Sequence, residues 1–64
     1  MESLITAVYA KMLLMRLNSN IIAVEDIKKE LNGKIKDEDI DYSINALVKE
    51  EAITISNKNI VEVI

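Results

Sequence analysis

The chain has 64 residues, a formal charge of −3, and neither cysteine nor histidine. Disulfide bonds and the usual ligands of a structural zinc site are therefore excluded, so good packing or self-association has to stabilise one small domain spanning residues 1–64. Without His, Cys or a glycine-rich phosphate loop we expect no enzymatic activity and no cofactor, and the acidic balance weighs against a general nucleic-acid binder.

The apolar segment near the N-terminus has neither the length of a transmembrane helix nor the basic leader of a signal peptide. A membrane-spanning helix needs roughly 18 consecutive apolar residues, and a secretory signal begins with positive charge. We therefore expect no membrane partner and a cytoplasmic location.

The first predicted helix covers residues 2–18, which are rich in good helix formers and lack Pro and Gly. Two apolar stripes run along it at helical spacing. The stripe that we expect to face the core consists of Leu4, Ile5, Val8, Met12 and Met15. The second stripe either belongs to the core as well or forms a homodimer contact. Its members are Tyr9, Leu13 and Leu17.

A polar break then leads into a short strand and a second helix. Residues 21–24 are apolar and partly β-branched, which is enough for a very short strand. Residues 24–32 predict a helix with acids in its first turn and lysines later, as the helix dipole favours. Ile27 and Leu31 form its buried edge, and Gly33 follows where a left-handed cap belongs.

The stretch KDEDIDYSIN, residues 36–45, raises the question of a calcium loop. Counted from Asp37, an EF-hand requires Gly at position 6 and Glu at position 12, but Tyr42 and Val48 stand there. Apolar residues recur at helical spacing through the stretch, which predicts a third helix from about residue 37 to residue 50. We therefore expect no metal site, and the acids of residues 37–39 are predicted to form the N-cap and first turn.

The end of the chain changes to the period of a β-strand. Ile53 and Ile55 alternate with polar residues, and Ile60, Val61 and Val63 follow after an Asn-Lys-Asn turn. Two β-branched runs around such a turn predict a hairpin.

This order of elements, a mostly α chain with a small β-hairpin, resembles the winged helix-turn-helix superfamily over nearly its whole length. The segment VEDIKKELNGKI is similar to the second helix and turn of that superfamily, and ALVKEEAITI is similar to the junction between third helix and wing. Two positions depart from the pattern. Glu51 replaces the usual Gly before the wing, so either it adopts a left-handed backbone or the turn differs. Ala23 replaces the usual Ser or Thr before the second helix.

The resemblance implies a helix that enters the major groove of DNA with its exposed face toward the bases. The outward residues of that helix are expected to include Glu38 and Ala46, with Asp39 and Asp41 beside them. The candidate DNA contacts comprise three residues of the third helix, which would meet bases or the backbone, and five lysines, which would meet phosphates. They are Tyr42, Asn45 and Lys49, and Lys28, Lys29, Lys34, Lys36 and Lys58.

Two functional interpretations remain open at this point. One is a DNA-binding transcriptional regulator that acts as a homodimer. The other is a protein-protein interaction module, because residues 37–51 carry six acids against one lysine and an acidic surface repels phosphates. That module would use either the acidic third helix or the second apolar stripe of the first helix.

Overall fold

A computed structural model describes residues 3–64, which form a small α+β domain of three helices and three strands. In chain order these are α1 (Leu4–Arg16), β1 (Ile22–Ala23), α2 (Val24–Glu30), α3 (Asp37–Lys49), β2 (Ile53–Ser56) and β3 (Ile60–Val63). The predicted order of elements is confirmed. The C-terminal ends of the three helices lie one or two residues before the predicted ones. The predicted helix start at residue 2 lies outside the described residues.

The hairpin is part of a three-stranded antiparallel sheet in the spatial order β1-β3-β2. β2 pairs with β3 over their whole length, from Ile53 opposite Val63 to Ser56 opposite Ile60. β1 pairs with the other edge of β3, where Ile22 lies opposite Val61. The strand β1 therefore ties the start of α2 to the hairpin.

The core lies between the three helices and the inner face of this sheet. Val8 and Met12 of α1 are fully buried, while Ile5 and Met15 are half-buried and pack against the core. The predicted core stripe of α1 is thus confirmed for these residues. The buried apolar residues are Val8, Met12, Ile22, Val24, Ile27, Leu31, Ile40, Ile44, Leu47, Ile53 and Val61.

Helix α2 begins without a side-chain cap because Ala23 has no hydrogen-bonding side chain. The Val24 N–H instead donates to the Asn59 carbonyl at 2.8 Å. One of the otherwise unpaired N–H groups of the first turn is satisfied in this way by the hairpin rather than by a neighbouring Ser or Thr.

Helix α3 ends in a Schellman motif built on a residue other than glycine. The Ala52 N–H donates to the Leu47 carbonyl at 3.0 Å, and the Glu51 N–H donates to the Val48 carbonyl at 3.0 Å. Glu51 has a φ of 61°, so it adopts the left-handed backbone, the first of the two alternatives that its position leaves open. A side chain in this conformation costs about 1 kcal/mol relative to glycine.

The substitution Glu51→Gly is therefore expected to raise the free energy of unfolding by about 1 kcal/mol. In a domain of this size that corresponds to a rise in Tm of about 4–8 °C, measurable by circular dichroism during heating. The matched control is Glu50→Gly, which removes the same charge at a residue with φ −82°. Glycine at residue 50 adds only flexibility and should lower Tm. Equal shifts in both variants would contradict the strain at Glu51.

The turn of the hairpin also uses left-handed residues. Asn57 and Lys58 have φ values of 52° and 63°, and the Asn59 N–H donates to the Ser56 carbonyl at 3.1 Å. Two consecutive left-handed residues inside such a hydrogen bond are typical of a type I′ turn, in which Asn followed by Gly is the favoured pair. Lys58 therefore stands where glycine is preferred, and it places a positive charge at the tip of the hairpin.

Candidate functional site

The outer face of α3 carries the residues that are exposed at helical spacing. Ile40, Ser43, Ile44 and Leu47 are buried on the opposite side. The exposed face comprises Glu38, Asp41, Tyr42, Asn45 and Lys49. The predicted outward orientation is confirmed for the three candidate contact residues of α3, and Tyr42 is 64% exposed.

Two details of α3 differ from the prediction. Ala46 and Asp39 are half-buried, because the side of α3 that packs against the core is wider than the apolar stripe indicates. Ser43 is fully buried, and its Oγ donates to the Asp39 carbonyl at 2.9 Å, so this hydroxyl is satisfied within the helix.

The helix α3 begins at Asp37, as predicted, but the residue that caps it is not the predicted one. Lys36 is the N-cap, and its side chain makes no capping hydrogen bond, so the prediction of an acidic N-cap is wrong. Asp37, Glu38 and Asp39 all lie in the first turn, where negative charge offsets the helix dipole. The twelve-residue segment from Asp37 is helical, so it does not form the loop of an EF-hand.

A groove of about 420 Å³ lies between α3 and the hairpin. Val24, Ile44 and Ile55 contribute its apolar lining, and Asn45 and Lys58 contribute polar groups. Two candidate contact residues that are thirteen positions apart in the chain are thus brought together. Asp41 lines the same groove, which places a negative charge beside them.

Lys28 of α2 reaches α3 through an ion pair. Its Nζ lies 3.0 Å from Asp41 Oδ1, and the two side chains are 28% and 55% exposed. The pair joins α2 to the exposed face of α3, and the nearest partner of Lys28 is a carboxylate. The sequence patterns did not indicate this pair, because the two residues belong to different helices.

The other candidate lysines occupy two separate surfaces. Lys34 and Lys36 line a hollow at the α2–α3 turn together with Asp37 and Glu38. Lys29 lines a different hollow, between the end of α1 and α2, together with Met15. The structure therefore places Lys28, Lys34, Lys36 and Lys58 around α3, but it does not bring Lys29 together with them.

A second surface of interest lies at the C-terminal end of α1, where Leu17 is the C-cap. Leu13, Leu14 and Leu17 are 40%, 61% and 81% exposed, and on a helix they fall within an arc of about 100°. We call these three residues the leucine patch. Tyr9 is half-buried and packs against the core, so the predicted second stripe is divided between core and surface. Leu14 was absent from the predicted stripe because it lies off the i, i+4 line.

Among residues 3–64, no helix combines the length and apolar content that crossing a bilayer requires, and no three acidic side chains are grouped as a metal ion would need. Comparison with protein-family models, with curated proteins and with solved structures found no match to this chain.

Proposed function

We propose that this chain is a non-enzymatic winged-helix domain that binds double-stranded DNA as a homodimer and regulates transcription. The order of three helices and a three-stranded sheet, with α2 and α3 joined by a short turn, agrees with that superfamily. In this interpretation α3 enters the major groove, and the hairpin is the wing that meets the backbone beside it.

The observation that carries the proposal is that Asn45 of α3 and Lys58 of the hairpin line the same groove. An Asn side chain pairs with adenine through two hydrogen bonds, and a lysine neutralises a phosphate. A duplex seated on α3 would therefore present a base edge to Asn45 and its backbone to Lys58. Lys34 and Lys36 lie just before α3 and Lys49 is its last residue, so each adds a positive charge near that helix.

The acids of α3 limit the affinity of this surface. Asp37 and Glu38 stand beside the lysines of the turn, and Asp41 stands inside the groove. Each carboxylate repels phosphate, so we expect weak binding that decreases steeply with salt concentration. Discrimination between sequences would then depend on the base contact of Asn45, worth about 1–3 kcal/mol when it is bidentate.

Lys58→Gly is expected to separate function from stability at the hairpin tip. Glycine relieves the left-handed backbone, so the free energy of unfolding should rise by about 1 kcal/mol. The loss of one phosphate contact should weaken binding to all duplexes and reduce the slope of log affinity against log salt by about 0.9. Fluorescence anisotropy with labelled duplexes across salt concentrations measures the affinity and the salt slope.

The matched control is Asn57→Gly, which relieves a left-handed residue in the same turn without removing charge. It should be stabilised as well, with unchanged DNA affinity. Equal affinities for the two variants would remove Lys58 from the interface. Absence of wild-type binding to any duplex at about 50 mM salt, where electrostatic binding is strong, would end the DNA proposal.

A protein-binding module is the second candidate, and the exposed carboxylates of Glu38 and Asp41 on α3 favour it. A basic partner surface would find complementary charge there, and the leucine patch would supply an apolar contact elsewhere. This candidate predicts that neutralising the acids of α3 weakens the complex with the partner. The DNA proposal predicts that the same change strengthens binding to duplexes.

A further inference from the structure

We propose that Asp41 competes with the DNA phosphate for Lys28. It holds Lys28 in the free protein, and so it lowers the affinity of the α3–hairpin groove for every DNA backbone alike. This inference rests on the proposed function and names the residue that lowers the DNA affinity. Its consequence is a smaller sequence-independent contribution to binding, so the base contact of Asn45 supplies a larger share of the binding free energy while the affinity ratio between two sequences is unchanged.

The position of Asp41 supports this role in two ways. Asp41 Oδ1 lies 3.0 Å from Lys28 Nζ, so this lysine already has a carboxylate partner in the free protein. The same Asp41 lines the groove together with Asn45 and Lys58. A phosphate that approaches Lys58 therefore meets a carboxylate, and it gains Lys28 only if the ion pair opens.

Because the ion pair is exposed, opening it costs little free energy. Asp41 is 55% and Lys28 is 28% exposed, and ion pairs in such positions are weak because water and salt screen them. A phosphate diester with its neighbours along the duplex competes well for a lysine, because binding also releases counterions. When DNA binds, Lys28 thus exchanges Asp41 for a phosphate, and Asp41 remains nearby as a repulsive charge.

A purely structural role for the pair leads to the opposite expectation. If the pair serves only to clamp α2 against α3, then removing either charge loosens the helix-turn-helix geometry. Both thermal stability and DNA affinity would then decrease together. The sign of the change in DNA affinity therefore distinguishes a competitor from a clamp.

The test compares Asp41→Asn with Glu38→Gln, which removes the same charge from the same exposed face of α3. Glu38 takes part in neither ion pair found in residues 3–64. We expect Asp41→Asn to bind a duplex about fivefold more tightly than Glu38→Gln does, the upper range for release of an exposed ion pair. The slope of log affinity against log salt should also steepen, by up to about 0.9, as Lys28 becomes free to meet a phosphate.

Lys28→Gln in both backgrounds completes a double-mutant cycle. The loss of Lys28 should reduce DNA affinity more in the Asp41→Asn background than in wild type, because wild type gains Lys28 only after breaking the pair. Circular dichroism of each variant checks that the fold is intact. Anisotropy titrations of all variants with one labelled duplex give the affinities.

The outcomes separate this inference from the function on which it rests. Tighter binding by Asp41→Asn than by Glu38→Gln, together with measurable binding by wild type, supports the competitor. If wild type binds DNA and Asp41→Asn is equal to or weaker than Glu38→Gln, the competitor is refuted while the DNA function stands. If no variant binds any duplex, both proposals fail.

Discussion

Ile40→Ala is expected to remove most of the stability of this domain. Ile40 is fully buried at the start of α3, and truncating a buried Ile to Ala typically costs about 2–5 kcal/mol through lost transfer free energy and the cavity left behind. At about 0.05–0.15 kcal/mol per residue, a domain of this length has a total free energy of unfolding of only about 3–10 kcal/mol. The cost of a single core truncation is therefore comparable with the total free energy of unfolding.

Urea unfolding followed by circular dichroism measures the loss, with Ile21→Ala as the matched control. Ile21 is 60% exposed, so the same chemical change there should cost less than about 0.5 kcal/mol. The titrations need several protein concentrations, because self-association would make stability depend on concentration. Equal urea midpoints for the two variants would mean that Ile40 is not a core residue.

Leu17→Glu is expected to abolish self-association without unfolding the chain. Leu17 is 81% exposed in the single chain, so its replacement leaves the core untouched. In a homodimer formed through the leucine patch, the new carboxylate would be buried without a partner, a cost of several kcal/mol. A cost of about 3 kcal/mol already weakens a dimer about 100-fold.

Sedimentation velocity at tens of micromolar gives the oligomeric state, and Ile64→Glu is the control. Ile64 is 71% exposed and lines a hollow with Val48 and Thr54, with no residue of α1 in that lining. It therefore loses the same kind of apolar surface and gains the same charge away from the leucine patch. A wild type that remains monomeric in this range would contradict the homodimer, and equal dissociation by both variants would show that the leucine patch is not the contact.

The three helices and the hairpin follow from patterns that are local in the chain. The apolar spacing of α3 predicts which side of it is buried, and the structure confirms this for Ile40, Ile44 and Leu47. The left-handed backbone of Glu51 was implied by the resemblance, in which a Gly usually stands at this position before the wing. Such features depend on neighbours within about four positions, and the sequence specifies those neighbours directly.

The candidate interface was predictable only in its parts. Tyr42, Asn45 and Lys49 were placed correctly on the outer face of α3 by period alone. Whether a lysine of α2 or of the hairpin joins them depends on how those elements pack, and charge patterns do not encode a crossing angle. Lys28 and Lys58 consequently reach the exposed face of α3, whereas Lys29, adjacent to Lys28, lines another surface.

Elements and their buried faces were thus set by local periodicity, helix capping and turn chemistry, all of which act within a few residues. Contacts between distant segments were decided by the tertiary structure. Ile22 pairs with Val61, Val24 bonds to Asn59, and Lys28 meets Asp41. The physical reason is that each of these contacts forms only after the core has closed and fixed the relative positions of helices and sheet. The free energy that closes the core comes from burying apolar surface, which is not directional, so the polar contacts around α3 follow from the packing and do not direct it.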